Sequence, residues 1–192
     1  KKHDIFDNTL LVFLTDNGGS SAMHANNSPL RGFKQMDYEG GIHVPFIVSW
    51  PDQLQGGQKC HVPMWSIDLF ATALDASGLP MPTDKPLDGK SILPALKGET
   101  EILHDEMYWS SAGVKGKWAI RSGPWKLVSE KGRTELFNLE KDLSETNDLA
   151  LKYPKVVSKL TKNYYAWLDQ MAEPLSKQPK RWQPKPGTPA NK

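Results

Sequence analysis

Two apolar runs, residues 10–14 (LLVFL) and 44–50 (VPFIVSW), constrain this chain more than any other feature, because each is nearly continuous rather than alternating. A strand of that kind expects cover on both faces, the habit of a parallel strand inside an α/β sheet. Pro45 near the start of the second run and Pro51 just past its end suit strand borders. Between the runs lie Asp16-Asn17-Gly18-Gly19, then Pro29-Leu30-Arg31-Gly32-Phe33-Lys34, then Tyr38-Glu39-Gly40-Gly41. Hard oxygen donors, a cation and several glycines between two core strands are the parts from which an α/β enzyme builds an anion site at a strand end. Taken alone, Asn17-Gly18 fits a hairpin turn better than a ligand site.

Only one good helix lies close to these strands, over residues 67–76 (IDLFATALDA), with Ser66 as N-cap and Ser77-Gly78 as the stop. The two strands therefore lack sheet neighbours, and the chain is expected to be the C-terminal part of a larger protein. Residues 80–90 read as a Pro/Gly-rich connector and 91–97 as a short helix closing at Gly98. Four short aromatic-rich segments follow, 106–111, 117–121, 125–129 and 135–139, separated by turn residues, which predicts an antiparallel meander. A last helix is expected from Pro154, where Val156, Val157, Leu160, Tyr164, Trp167, Leu168 and Met171 form one apolar stripe to cover that sheet. The tail from Pro174, with its prolines and lysines, has no core pattern and is expected to be extended or disordered. The expected division is thus 1–100, 101–173 and 174–192.

Composition narrows the function classes. The net charge of +2 is spread among acidic residues with no basic stripe, so no nucleic-acid partner is expected. No apolar run approaches the ~20 residues of a transmembrane helix. The single cysteine, Cys60, cannot form an internal disulfide.

The segment TDNGG followed by PLRGFKQMDYEGGIHVPFIVSWP closely resembles the C-terminal half of type I sulfatases, in the alkaline-phosphatase-like superfamily. The resemblance continues in order through IDLFATALDASGLPMP, LDGKSILPALKG, AIRSGPWKLV and ELFNLEKDLSETNDLA, covering about residues 5–170. It implies an α/β fold: the C-terminal portion of a mixed-sheet sandwich plus a small α+β subdomain in which a terminal helix packs on an antiparallel sheet. It also implies hydrolysis of sulfate esters of a sulfated glycan or aryl sulfate, with export to the periplasm or outside. Asp16 and Asn17 match the pair that completes a divalent cation site, usually Ca²⁺, with Mg²⁺ the alternative. Lys34 matches the lysine that contacts the substrate sulfate, a task suited to a compact point charge. The family nucleophile is a hydrated formylglycine, which attacks sulfur while calcium polarises the sulfate oxygens. It is expected in the N-terminal half, which thereby becomes this chain's necessary partner. Cys60 does not supply it, because Cys60-His61-Val62-Pro63-Met64 departs from the C/S-x-P-x-R motif. With two ligands against the six to eight oxygens that calcium takes, the segment alone is expected to be inactive. Phosphate- or phosphonate-ester hydrolysis on the same metal platform, and a non-catalytic carbohydrate-binding homologue, are the competing readings.

The remaining candidates carry structural alternatives. His24, in the loop between Asp16 and Lys34, either touches a substrate sugar or leaving group or is simply an exposed loop residue. Glu39-Gly40-Gly41 reads as architecture, the glycines allowing tight turns and Glu39 pairing with Arg31 or Lys34. His3, His43, His61 and His104 have no ligand-like spacing, and Trp109, Trp118 and Trp125 are expected in the core.

Overall fold

The structure is a computed structural model and describes residues 3–110, 117–130 and 132–172. The expected tail at 174–192 lies outside the described residues. The first apolar run forms β1 (Leu11–Leu14) and the second β2 (Phe46–Ser49). They pair antiparallel, in a register running from Leu11↔Ser49 to Leu14↔Phe46, which corrects the parallel expectation. The reason is that a continuous apolar run reports cover on two faces and carries no information on strand direction. Leu11, Phe13 and Ile47 share one face of this two-stranded ribbon, and all three are more than half exposed.

The helix after the ribbon, which follows the four-residue turn α1 (Glu39–Ile42), is α2 (Asp68–Ala76). Its N-cap position falls on Ile67 and makes no side-chain cap, so Ser66 does not play the expected role. Asp68 takes over instead. Its buried carboxylate accepts the Trp65 N–H at 2.7 Å and the Lys90 N–H at 2.9 Å, and lies 2.8 Å from His104 Nε2. A first-turn carboxylate that collects free amides ties the helix start to the connector. Thr72 Oγ1 donates to the Asp68 carbonyl and accepts the Ile92 N–H, so α2 also holds α3 (Leu93–Leu96), which stops at Gly98 with φ +75° as expected.

The meander is present as β3 (Glu106–Ser110), β4 (Trp118–Ser122), β5 (Trp125–Glu130) and β6 (Arg133–Asn138), antiparallel in that order. One face carries Trp118, Ile120, Leu127 and Leu136, covered by Leu160 and Tyr164 of α4 (Pro154–Leu168). Trp118 and Tyr164 stack at 4.2 Å between ring centroids, and Tyr108 stacks on Trp167 at 4.7 Å. The helix ends before Met171, which is 41% exposed and does not extend the stripe.

The opposite face carries Ala119, Val128 and Phe137, and here the cover is the segment 31–43 from the first part of the chain, led by Tyr38. Charged residues fix that cover. Arg31 reaches Glu135 at 3.1 Å, stacks its guanidinium 4.0 Å from the Tyr38 ring centroid and donates to the Glu145 carbonyl at 3.1 Å. The Tyr38 hydroxyl donates to Glu135, and burial together with that bond pushes its ionisation well upward. Glu39, on the first turn of α1, meets the fully buried Lys126 of β5 at 2.7 Å and His43 at 2.8 Å. Lys126 also lies 2.9 Å from Glu145. Glu39 therefore pairs with neither Arg31 nor Lys34, because Arg31 is engaged by Glu135 and α1 presents Glu39 to the sheet.

The sign of the acid response follows from Glu39. Burial alone would raise its carboxyl, but the His43 hydrogen bond and Lys126 outweigh it and lower the pKa from 4.5 to about 2. Below pH 4.5 the unfolded state binds the extra proton, so this contribution to stability is complete above that pH and disappears as pH falls through about 2. Burial pushes Glu145 the other way. Thermal unfolding between pH 5 and 2 should show a steep loss of Tm, and Glu39→Gln should flatten that slope.

Candidate active site

The site begins where β1 stops. Thr15 Oγ1 donates to the Asn17 carbonyl at 3.3 Å, closing the bend that carries exposed Asp16 and half-buried Asn17. The Gly18 N–H then donates to the Gly41 carbonyl at 2.9 Å, and the Gly19 carbonyl accepts the Lys34 N–H at 3.0 Å. Three segments far apart in sequence are thus joined backbone to backbone. A Cβ on Gly18 would fall on the Gly40 carbonyl; on Gly40 it would sit 2.6 Å from the Arg31 carbonyl oxygen, and on Gly41 2.6 Å from that of Phe33. None of these three glycines has positive φ, whereas Gly32 does, at +89°. The tight-turn expectation is corrected accordingly: Gly18, Gly40 and Gly41 serve close approach of main chains, and Gly32 alone in this region serves a left-handed turn.

Asn27 is a residue that sequence reasoning missed. Its side chain accepts the Gly19 N–H at 3.0 Å and donates to the Gly19 carbonyl at 3.0 Å and the Gly32 carbonyl at 3.1 Å. One amide thereby locks the loop after β1 to the segment that carries Lys34. Its only sequence signal was an asparagine close before a proline, which is shared by many ordinary loops.

Lys34 is exposed, and its backbone is pinned to Gly19, two residues beyond Asn17. Among the described residues, the side chains of Asp16, Asn17 and Lys34 form no hydrogen bond or ion pair. The structure therefore assembles the backbones of all three sequence candidates at one junction and leaves their functional groups uncommitted. His24 caps the 3₁₀ turn Ser21–Met23 in a left-handed conformation (φ 55°), exposed and, among the described residues, without a side-chain partner. It shares a loop with Asn27 and is not drawn into the junction. Of the other histidines, His43 binds Glu39, and His104 binds buried Asp68 and stacks on Trp65. Among the described residues no group of three His, Cys, Asp or Glu side chains is arranged for a metal ion.

A strand ending in paired oxygen donors and braced by a lysine loop is a segment of an α/β fold. The sulfatase family model matches residues 1–79. A protein described as a sulfatase from Formosa agariphila is 31% identical over 197 residues, which cover 88% of this chain and 34% of that protein. The crystal structure of Ps i-CgsB superimposes with a TM-score of 0.81 at 31% identity, covering 87% of this chain and 38% of that one. That protein has also been solved in complex with k-i-k-neocarrahexaose. The phosphonate monoester hydrolase of Agrobacterium radiobacter superimposes with a TM-score of 0.64 at 25% identity, covering 88% of this chain and 36% of that one. Residues 1–79 belong to the sulfatase family, and the chain as a whole, similar to these proteins, spans little more than a third of their length.

Gly18→Ala and Gly40→Ala each push a methyl into backbone that has nowhere to go, and each should cost about 2 kcal/mol or more in urea denaturation. Gly56→Ala, with nothing within 4 Å of the added carbon, should stay within about 0.5 kcal/mol of wild type.

Proposed function

We propose that the protein to which this chain belongs hydrolyses sulfate esters, and that residues 15–41 form one wall of its active site. The observation that carries this reading is the 3.0 Å bond from the Lys34 N–H to the Gly19 carbonyl, which holds the lysine's backbone beside Asp16 and Asn17 while all three side chains stay uncommitted. Charged groups on an immobile backbone, free of internal partners, are what preorganised electrostatic stabilisation requires. Asp16 offers a carboxylate and Asn17 an amide oxygen, consecutive at the end of a strand, and this donor set suits a hard cation such as Ca²⁺ or Mg²⁺. A cation there would act as a Lewis acid on the sulfate oxygens. Two donors leave at least four coordination positions to be filled from elsewhere, and we assign them, with the formylglycine, to the N-terminal half of the same protein.

In this reading Lys34 binds the sulfate and stabilises the charge that develops on it. His24, exposed on the neighbouring loop, is assigned to the substrate's rim rather than to the chemistry. The carbohydrate in the Ps i-CgsB complex supports a glycan substrate. Phosphonate-ester hydrolysis is the second reading, favoured by the likeness to the Agrobacterium enzyme. Competing an aryl sulfate against an aryl phosphonate ester on the full-length protein separates the two by their kcat/KM ratio.

In the full-length protein, Lys34→Ala should lower kcat/KM by about 100-fold or more, with Tm unchanged because the side chain makes no hydrogen bond or ion pair among the described residues. Activity within twofold of wild type would remove Lys34 from the site. Asp16→Ala should raise the Ca²⁺ concentration needed for half-maximal activity.

A further inference from the structure

We propose that Glu39 is a positioning residue of this active site: anchored on the four-stranded sheet, it holds Gly40 and Gly41 as a wedge that sets the spacing between the cation ligands and Lys34. The inference rests on the assignment of Asp16, Asn17 and Lys34 made above. Three polar groups of Glu39 are fixed. Its N–H donates to Glu145 Oε2 at 2.7 Å, its Oε1 meets Lys126 Nζ at 2.7 Å, and its Oε2 meets His43 Nδ1 at 2.8 Å. Lys126 sits on an inner strand, in register with Arg121 on one side and Phe137 on the other, so the anchor stands on a rigid part of the molecule. Arg121 adds a further attraction for the Glu39 carboxylate.

The other end of the lever is the wedge. Gly41 accepts the Gly18 N–H, Gly40 donates to the Arg31 carbonyl at 2.6 Å, and both glycines lie flush against the backbone of the Lys34 segment. Glu39 precedes this wedge directly, alongside the tethers that Arg31 and Tyr38 make from Glu135 of the sheet to the same two glycines. Glu39 itself forms no bond with Asp16, Asn17 or Lys34, so it acts through the wedge.

Glu145 supplies a second sign of over-determination. It is fully buried and adopts φ 54°, a left-handed conformation unusual for a side chain of its size. Lys126 beside its carboxylate, the Glu39 N–H on that carboxylate and Arg31 on its carbonyl keep it there. Replacing a whole buried ion cluster by apolar residues is often neutral for stability, so such a cluster can fix direction in addition to the stability that Glu39 contributes. A shift of roughly 1 Å at a site is enough to cost about 100-fold in rate, which is the scale on which a loosened wedge would act.

The test uses the full-length protein with an aryl sulfate and titrated Ca²⁺, comparing Glu39→Gln, His43→Gln and Lys34→Ala. Glu39→Gln should fold, by circular dichroism, yet lose about 10- to 100-fold in kcat and need more Ca²⁺ for half-maximal rate. A purely stabilising role would move Tm and leave both quantities alone. If Glu39→Gln does not fold, the half-exposed His43 decides: His43→Gln should lower kcat in a folded protein. Values of kcat and half-saturating Ca²⁺ within twofold of wild type, in whichever of these variants folds, overturn the positioning role. If Lys34→Ala is also within twofold, the site assignment fails; if Lys34→Ala is crippled while Glu39→Gln and His43→Gln are normal, only the positioning role does.

Discussion

Lys126 is completely buried, and an ammonium ion withdrawn from water has to be matched by charge or it costs several kcal/mol. Its partners set the conditions for everything around it. One carboxylate comes from α1 and the other from the loop after β6, so the lysine can be accommodated only when segment 31–43 lies on the sheet. Once it does, Tyr38 covers Phe137 and Arg31 finds Glu135. The apolar contact and the ion pairs select the same arrangement, each supporting the other. That is how a sheet with an aliphatic and aromatic face toward α4 carries a charged clasp on its other face.

The junction near Asp16 obeys a different economy of contacts. Its framework is almost entirely main chain, with glycines permitting the approach and one asparagine amide bridging two loops. Side chains that would normally be consumed in holding such loops together remain unoccupied. Separation of framework from functional groups lets charge be presented without a rearrangement when an anion arrives.

Much of this was legible beforehand, and the failures have physical causes. The meander, the terminal helix and the stop at Gly98 were readable because each depends on local turn chemistry and side-chain period. The backbone meeting of Asp16, Asn17 and Lys34 was suggested by order and spacing. Strand direction was not, since Leu11 and Phe13 look alike in either orientation. Nor were the partners of Glu39, because Lys126 stands 87 residues away and a buried lysine carries no sequence mark that separates it from a solvated one. Asn27 escaped because a bridging amide looks like any loop asparagine. Long-range polar pairing is what a single sequence conceals best.

The ribbon of β1 and β2 has one further consequence, for handling. Leu11, Phe13 and Ile47 line up as an oily strip on a short sheet with open edges, a surface that adheres to whatever apolar material is nearest. A preparation of these 192 residues alone should behave as a sticky, concentration-sensitive species, eluting as larger particles on a sizing column and clearing with mild detergent. The strip's strand β1 ends two residues before Asp16, so clumping there would cover the loop junction as well.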